Sequence, residues 1–379
     1  MSLAQGQVLE GKYRIVRLIG EGGMGAVYEG ENVRIQRRVA IKVVHPAFAS
    51  NTEVVARFQR EAQAAGRIGN DHILEVLDLG ALADGSHFMV LEFLDGEPLS
   101  GRIKRLGRLT PVQATAIGRQ ILQGLGAAHG AGIIHRDLKP DNIFILKEKA
   151  GTRDFVKIID FGISKFQPLS GDGMKMTSTG AVMGTPYYMS PEQASGSRDA
   201  DARSDLYSVG VILYECVTGQ VPFDGETFNQ LMFKIVLSEP PHPQAVVPDL
   251  DNAFTSIILK SMARDVSQRF QSAKEFIDAL QAWVEKGADV SVPVPAAADA
   301  LVPGATRSAL ASASGIVAAQ TAPRGTAGSW AKSQPGTMPG RSTVALAIAG
   351  GVLLAAGALG AILFLRHGDR PAPTAEPPR

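Results

Sequence analysis

Eight residues, His135-Arg136-Asp137-Leu138-Lys139-Pro140-Asp141-Asn142, gather an imidazole, a guanidinium, an ammonium, two carboxylates and an amide. Carboxylates can take up a proton, carboxylates and amides can ligate a hard cation, and the two basic side chains can neutralise an anion. Eighteen residues after Asn142 stands Asp160-Phe161-Gly162. Asp137, Asn142 and Asp160 can therefore meet in one cleft. A charge run is equally the pattern of an ordinary solvated loop. The surrounding elements have to decide between the two.

Both stretches sit against apolar runs. Gly132-Ile133-Ile134 precedes the first and Ile143-Phe144-Ile145-Leu146 follows it, while Val156-Lys157-Ile158-Ile159 leads into Asp160. Strand-like flanks hold a polar loop rigidly. Upstream, residues 13–19, 26–29 and 39–44 read as a small antiparallel meander, with a polar turn over 32–38. Residues 53–68 change period: Val54, Phe58, Ala62, Ala65 and Ile68 recur every three or four positions, one face of a helix. Two further β-like runs follow at 73–79 and 87–93. From residue 110 helices dominate. Thr110, Pro111 and Gln113 make an N-cap, a first-turn proline and a capping box, Ile117, Ile121, Leu125 and Ala128 form the stripe, and Gly130 and Gly132 end the helix. Segments 205–217, 228–236, 252–263 and 273–285 are also predicted helical.

A glycine cluster, Gly20-Glu21-Gly22-Gly23-Met24-Gly25-Ala26-Val27, follows the first strand. Its backbone N–H groups can wrap phosphates. A dinucleotide-binding loop would need a helix next and an acidic residue about twenty positions on. Here a strand follows, and near that distance stands Lys42, in Val39-Ala40-Ile41-Lys42. The dinucleotide reading fails on both counts.

Glycine loop, Val-Ala-Ile-Lys, His-Arg-Asp and Asp-Phe-Gly, in this order, resemble a eukaryotic-type (Hanks-type) protein kinase. The resemblance covers residues 13–284. It implies an α+β, bilobal protein-kinase fold: a small β-rich N-lobe over about 13–91, a hinge over 92–97 and a larger helical C-lobe over 98–284. It implies transfer of the ATP γ-phosphate to Ser or Thr hydroxyls of proteins.

Carried over by position, the resemblance places Ile19, Gly20, Glu21, Gly22, Gly23, Met24, Gly25, Val27 and Ala40 around ATP. Lys42 meets the α- and β-phosphates and is held by a helix glutamate. Glu61, near mid-helix, is the choice over Glu53 at the helix start. Glu92 and Leu94 offer hinge backbone to adenine, with Leu91 as gatekeeper. Asp137 orients the acceptor hydroxyl or takes its proton, and Lys139 reaches the γ-phosphate. Asn142 and Asp160 hold Mg²⁺, or Mn²⁺ in its place. Lys139 and Thr185, the latter in Gly184-Thr185-Pro186, resemble the Ser/Thr branch, with Thr185 as substrate platform. Glu192, in Ser190-Pro191-Glu192, is expected to pair with Arg269, Asp205 to brace the catalytic loop, and His135 to act as a brace rather than a proton carrier. Arg136 is the expected receiver of a phosphorylated activation loop, with Thr177 and Thr179 as autophosphorylation sites. Two other classes compete. A scaffold without phosphotransfer would have lost the lysine or an aspartate, and a small-molecule phosphotransferase would lack the Gly184-Thr185 and Ser190-Pro191-Glu192 platform.

Composition narrows the partners. A formal net charge of +1 argues against a chain built to coat nucleic acid. The single cysteine, Cys216, lies in an apolar run and reads as a buried thiol. Residues 287–342 are rich in Ala, Pro, Gly, Ser and Thr, with few large apolar residues. They read as a disordered linker. Residues 343–365 carry no charge over 23 positions, enough at about 1.5 Å per residue to cross the roughly 30 Å hydrocarbon layer. The start of the chain lacks a signal peptide's apolar core. Kinase region, linker and span together resemble a eukaryotic-type (Hanks-type) bacterial transmembrane serine/threonine protein kinase. The expectation is a single-pass protein of the cell membrane, its kinase domain cytoplasmic and residues 366–379 forming a short extracytoplasmic tail. Ala347, Gly351 and Ala355 recur at four and allow a homodimer through the span.

Overall fold

A computed structural model of the chain describes residues 3–22, 25–82, 84–160, 186–197 and 200–287. The described residues all fall within one compact unit, 1–297. The predicted linker, span and tail lie outside the described residues, as do Gly23, Met24, Phe161, Gly162, Thr177, Thr179 and Thr185. Among the described residues, no helix is long and apolar enough to cross a membrane.

The first lobe is one antiparallel sheet with a helix on it. Strands β1 (Val8–Leu9), β2 (Tyr13–Gly22), β3 (Gly25–Asn32), β4 (Arg37–Val44), β5 (Val76–Ala81) and β6 (His87–Glu92) stack in the order β1-β2-β3-β4-β6-β5. Alternation sends Tyr13, Ile15, Tyr28, Ile41, Phe88 and Val90 to one apolar cluster. The opposite face presents Val44, Met89 and Leu91 to Phe58 and Ala62 of helix α1 (Thr52–Ile68). Asn51 caps α1 by accepting from the N–H groups of Glu53 and Val54, and Gly69, at φ +55°, ends it. The expected helix stripe is present. The predicted strand at 73–79 starts later, at Val76, because Ile73 leaves the sheet and bridges Ile158 of the second lobe in parallel.

The second lobe adds β7 (Gly96–Pro98), α2 (Leu99–Leu106), α3 (Pro111–Gly130), β8 (Ile143–Lys149) and β9 (Thr152–Ile158). It continues with α4 (Pro191–Ala194), α5 (Ala202–Thr218), α6 (Phe228–Leu237), α7 (Asn252–Ser261) and α8 (Ala273–Glu285). Thr110 and Gln113 form the predicted capping box at the start of α3. Helix α5 is buried nearly all round, and residues of α3, α7 and α8 share its core cluster. Such a helix is the axis of a lobe rather than its surface. Cys216 is among its buried residues, and burial pushes its thiol above the ordinary range.

Glu192 and Arg269 form the expected pair. Two guanidinium nitrogens donate to the carboxylate at 2.9 and 2.8 Å, and Ser204 Oγ donates to it at 2.6 Å. Arg269 is fully buried and also donates from Nε to the Ala263 carbonyl. Burial alone would raise the Glu192 carboxyl, but the Arg269 hydrogen bonds and charge outweigh it and hold the group at about 2. Its contribution to stability is thus complete above the ordinary value near 4.5 and is lost as pH falls from there through about 2. Glu192→Gln should lower unfolding free energy by about 3 kcal/mol at pH 7. Urea titrations from pH 7 to 2.5 should show the gap between the two proteins narrowing below pH 4.5. A constant gap would disprove the assignment.

Candidate active site

The site grows from Lys42. In β4 it stands opposite Val27 of β3 and Met89 of β6, a central strand position that fixes its direction. Its ammonium lies 2.8 Å from Glu61 Oε1 and 2.8 Å from Asp160 Oδ1. Glu53 takes no part, and instead faces Arg57 one turn along α1 at 3.5 Å. Burial works against the Lys42 charge, but Asp160 and Glu61 more than restore it and hold the ammonium above the ordinary lysine value. Burial raises the Glu61 carboxyl, with Asp160 adding to the shift and Lys42 opposing it. Burial would raise Asp160 too, but Lys42 outweighs it and keeps that carboxyl below the usual range. Two carboxylates around one ammonium leave a net negative charge, suited to a cation.

The second half of the site is the loop from His135 to Asn142. Asp205, fully buried on α5, accepts three hydrogen bonds at 2.8 Å: from the His135 and Arg136 N–H groups and from His129 Nε2. This carboxylate holds Arg136 in the left-handed region, at φ +65°. Gln193 Nε2 donates to the Arg136 carbonyl at 3.0 Å from the other side. His135 is fully buried, and its Nδ1 accepts the Asp137 N–H at 3.3 Å. Its burial and this contact fit the expected bracing role. Asn142 Nδ2 donates to the Asp137 carbonyl at 2.8 Å and to its carboxylate at 3.3 Å, and Lys139 Nζ lies 3.8 Å from that carboxylate. The Ile159 N–H donates to the Asn142 carbonyl at 2.9 Å, which ties the loop to the backbone just before Asp160.

These atoms fit a small hard cation. Asn142 turns its nitrogen to Asp137, leaving the amide oxygen and the Asp160 carboxylate as oxygen ligands of the kind Mg²⁺ or Mn²⁺ takes. Among the described residues no three His, Cys, Asp or Glu side chains cluster as a metal cage. A cation here would complete its shell with phosphate and water.

An open cleft of about 310 Å³ is lined by Lys42, Glu61, Ala65, Met89, Leu91 and Asp160, so the predicted gatekeeper faces it. Ala40 stands opposite Leu91 in the register. At the rim, Ile19 and Glu21 are exposed, and a side chain added at Gly20 would meet nothing. Gly22 is nearly as open, whereas a Cβ at Gly25 would lie 2.1 Å from the Val43 carbonyl oxygen. The third glycine is thus required by its close approach to β4. Leu94 is half-buried beyond the last strand of the first lobe. The Arg136 guanidinium Nε is buried with no hydrogen-bond partner among the described residues. Two participants were missed from sequence. His129, the third donor to Asp205, sits at the end of a helix without any motif around it. Lys157, which pairs with the Glu92 side chain, left a signal in being the one charge in Val156-Lys157-Ile158-Ile159.

Comparison with known proteins agrees with this geometry. A family model described as protein kinase domain matches residues 13–281. Serine/threonine-protein kinase pkn3 of Myxococcus xanthus is 42% identical over 279 residues, 73% of this chain and 51% of that protein. Serine/threonine-protein kinase PknA of Mycobacterium tuberculosis is 36% identical over 375 residues, 96% of this chain and 82% of that protein. Against several curated relatives the chain spans about half their length or less. The crystal structure of the Mycobacterium tuberculosis PknI kinase domain superposes with a TM-score of 0.58 at 29% identity, over 75% of this chain and all of that one.

The loop's dependence on Asp205 can be measured. Asp205→Ala strips the acceptor from two backbone N–H groups and an imidazole in a dry site. It should cost about 3–5 kcal/mol of stability. A chemical-denaturation midpoint unchanged from wild type would show that the loop holds its shape without the carboxylate.

Proposed function

The chain belongs to the protein kinase family, and we propose that it transfers the γ-phosphate of ATP to Ser and Thr hydroxyls of proteins. One observation carries the proposal: Lys42 joins Glu61 and Asp160 at 2.8 Å each. That triad sets an ammonium where α- and β-phosphate oxygens would lie, beside the two oxygen ligands Asn142 and Asp160. The relatives' names, serine/threonine-protein kinases, support the choice of acceptor.

Phosphoryl transfer asks the protein chiefly for position and charge. Lys42 neutralises phosphate oxygens, and Glu61 keeps its ammonium from swinging onto Asp160 alone. A bound Mg²⁺ would offset charge building on the transferring group. Asp137 accepts a hydrogen bond from the acceptor hydroxyl, aims it, and takes its proton as the oxygen bonds to phosphorus. Asn142 holds the Asp137 carboxylate in place, and Lys139, near the same carboxylate oxygen, meets the γ-phosphate. The backbone at Glu92 and Leu94 receives adenine.

The proposal extends to control and location. Phosphates on Thr177 and Thr179 would be received by Arg136, whose buried Nε wants a partner. Residues 343–365 would anchor the chain in the cell membrane with the kinase domain cytoplasmic, and Ala347, Gly351 and Ala355 would support a homodimer.

Full-length protein with Mg-ATP should place phosphate on Ser and Thr of a generic basic protein and on its own Thr177 and Thr179, read by mass spectrometry. Asp137→Asn should lower kcat by about 10²- to 10⁴-fold and leave the loop unmodified. Equal transfer by wild type and Asp137→Asn, or none by wild type with either Mg²⁺ or Mn²⁺, would refute the reading.

A further inference from the structure

Lys157 is the least expected charge in the molecule. It is 2% exposed in β9, between Val156 and Ile158, both at 0%. A lysine there costs several kcal/mol unless it is paired. Its ammonium pairs with the Glu92 carboxylate and donates to the Ile73 carbonyl at 3.0 Å. The partner oxygen, Glu92 Oε1, also accepts the Glu75 N–H at 2.9 Å, and the Glu92 N–H donates to the Glu75 carbonyl at 3.1 Å. Burial pulls the Lys157 ammonium below the ordinary lysine value, with Glu92 opposing the shift.

The pair is the centre of a seam. On one side runs the segment from Asn70 to Glu75, which leaves α1 and enters β5. On the other runs β9, which ends two residues before Asp160. The Ile158 N–H donates to the His72 carbonyl at 2.7 Å, and the Leu74 N–H donates to the Ile158 carbonyl at 3.0 Å. His72 Nδ1 donates to the Val156 carbonyl at 2.9 Å, and its ring stacks on Phe155 with centroids 4.6 Å apart. Three parts converge here that the proposed function ties to the nucleotide, directly or through Lys42. They are the Glu92 backbone, α1 with Glu61, and the strand leading to Asp160.

We propose that Lys157 is a positioning residue for the nucleotide, acting through Glu92 and Ile73 to fix the segment receiving adenine against the Lys42–Glu61–Asp160 triad. The inference rests on the reading that ATP occupies this cleft. A buried ion pair adds little stability over an apolar pair of equal volume. What it adds is direction. Its two partners lie on different segments, and an ammonium with three donors can hold both at once. An apolar substitute fills the space without setting the register.

That distinction gives the test. Full-length wild type, Lys157→Met and the double variant Lys157→Met/Glu92→Met are compared in melting temperature, in Mg-ADP affinity by calorimetry, and in KM and kcat for ATP. The single variant strands the Glu92 carboxylate, so it should melt lower and bind Mg-ADP about tenfold more weakly. The double variant removes both charges and should regain most of the melting temperature. Its Mg-ADP affinity should stay about five- to tenfold weak, with KM for ATP raised and kcat changed less. KM does not depend on how much enzyme is folded, so partial unfolding does not mask the result. Affinity that returns with the melting temperature would overturn the proposal, as would unchanged affinity in the single variant. A double variant that no longer folds would also overturn it, since the pair would then be a stability element. Wild type that fails to bind Mg-ADP would strike the nucleotide reading itself.

Discussion

An ammonium between two carboxylates is the contact on which the structure's other parts converge. Lys42 reaches Glu61, 19 residues away, and Asp160, 118 residues away. The first contact joins the sheet to α1, and the second joins the sheet to the end of β9. The sheet contributes direction, since Lys42 is opposed on both sides by paired strands. Helix α1 contributes one acid at the correct turn, and its apolar face, Phe58 and Ala62, decides which turn that is. Glu53 shows the alternative, an acid on the same helix that ends in an exposed pair with Arg57. A like-charge pair of carboxylates this close would be expensive alone. The ammonium makes it tolerable, and a nucleotide-bound cation would complete the balance.

The catalytic loop obeys a different constraint. It is held from beneath, by one carboxylate on the most deeply buried helix. Asp205 accepts consecutive backbone N–H groups, His135 and Arg136, which forces the turn that a non-glycine residue would otherwise avoid. The strain at Arg136 is therefore imposed by the core and displayed at the surface of the cleft. Asp137, the next residue, inherits its direction from that turn. A loop so anchored presents its carboxylate from a fixed backbone, the preorganised arrangement on which the proposed phosphoryl transfer would rely.

Local chemistry carried most of the fold in the sequence. The capping box at Thr110 and Gln113, the α1 stripe and the helix over 273–285 were legible because cap residues and helical periodicity act over a few positions. What was not legible depended on distant partners. Strand β1 has two residues and no pattern, and exists because β2 offers it an edge. Helix α2 is eight residues long with three basic side chains, and follows from Leu99 and Ile103 finding the core. The segment at Ile73 alternates like a strand but is captured by Ile158 across the lobes. The site was more legible than the fold's margins. Its residues cluster in motifs, whereas His129 and Lys157 each serve a motif residue from an element of their own.

Asp205, Arg269 and Lys157 are charges placed where apolar side chains would cost less, and all three bind backbone as well as a charged or ring partner. Asp205 holds two N–H groups of the catalytic loop, Arg269 two carbonyls after α7, and Lys157 the Ile73 carbonyl. Each thereby fixes a stretch of chain that has no regular hydrogen-bond ladder of its own. Hydrophobic burial is non-directional and sets how tightly the lobes pack. It cannot set the angle at which a loop leaves a helix. The polar anchors do that beneath the loop from His135 to Asn142, behind the segment that carries Glu192, and behind the strand that carries Glu92. The cost of burying them is the cost of a cleft whose geometry does not wait for its ligand.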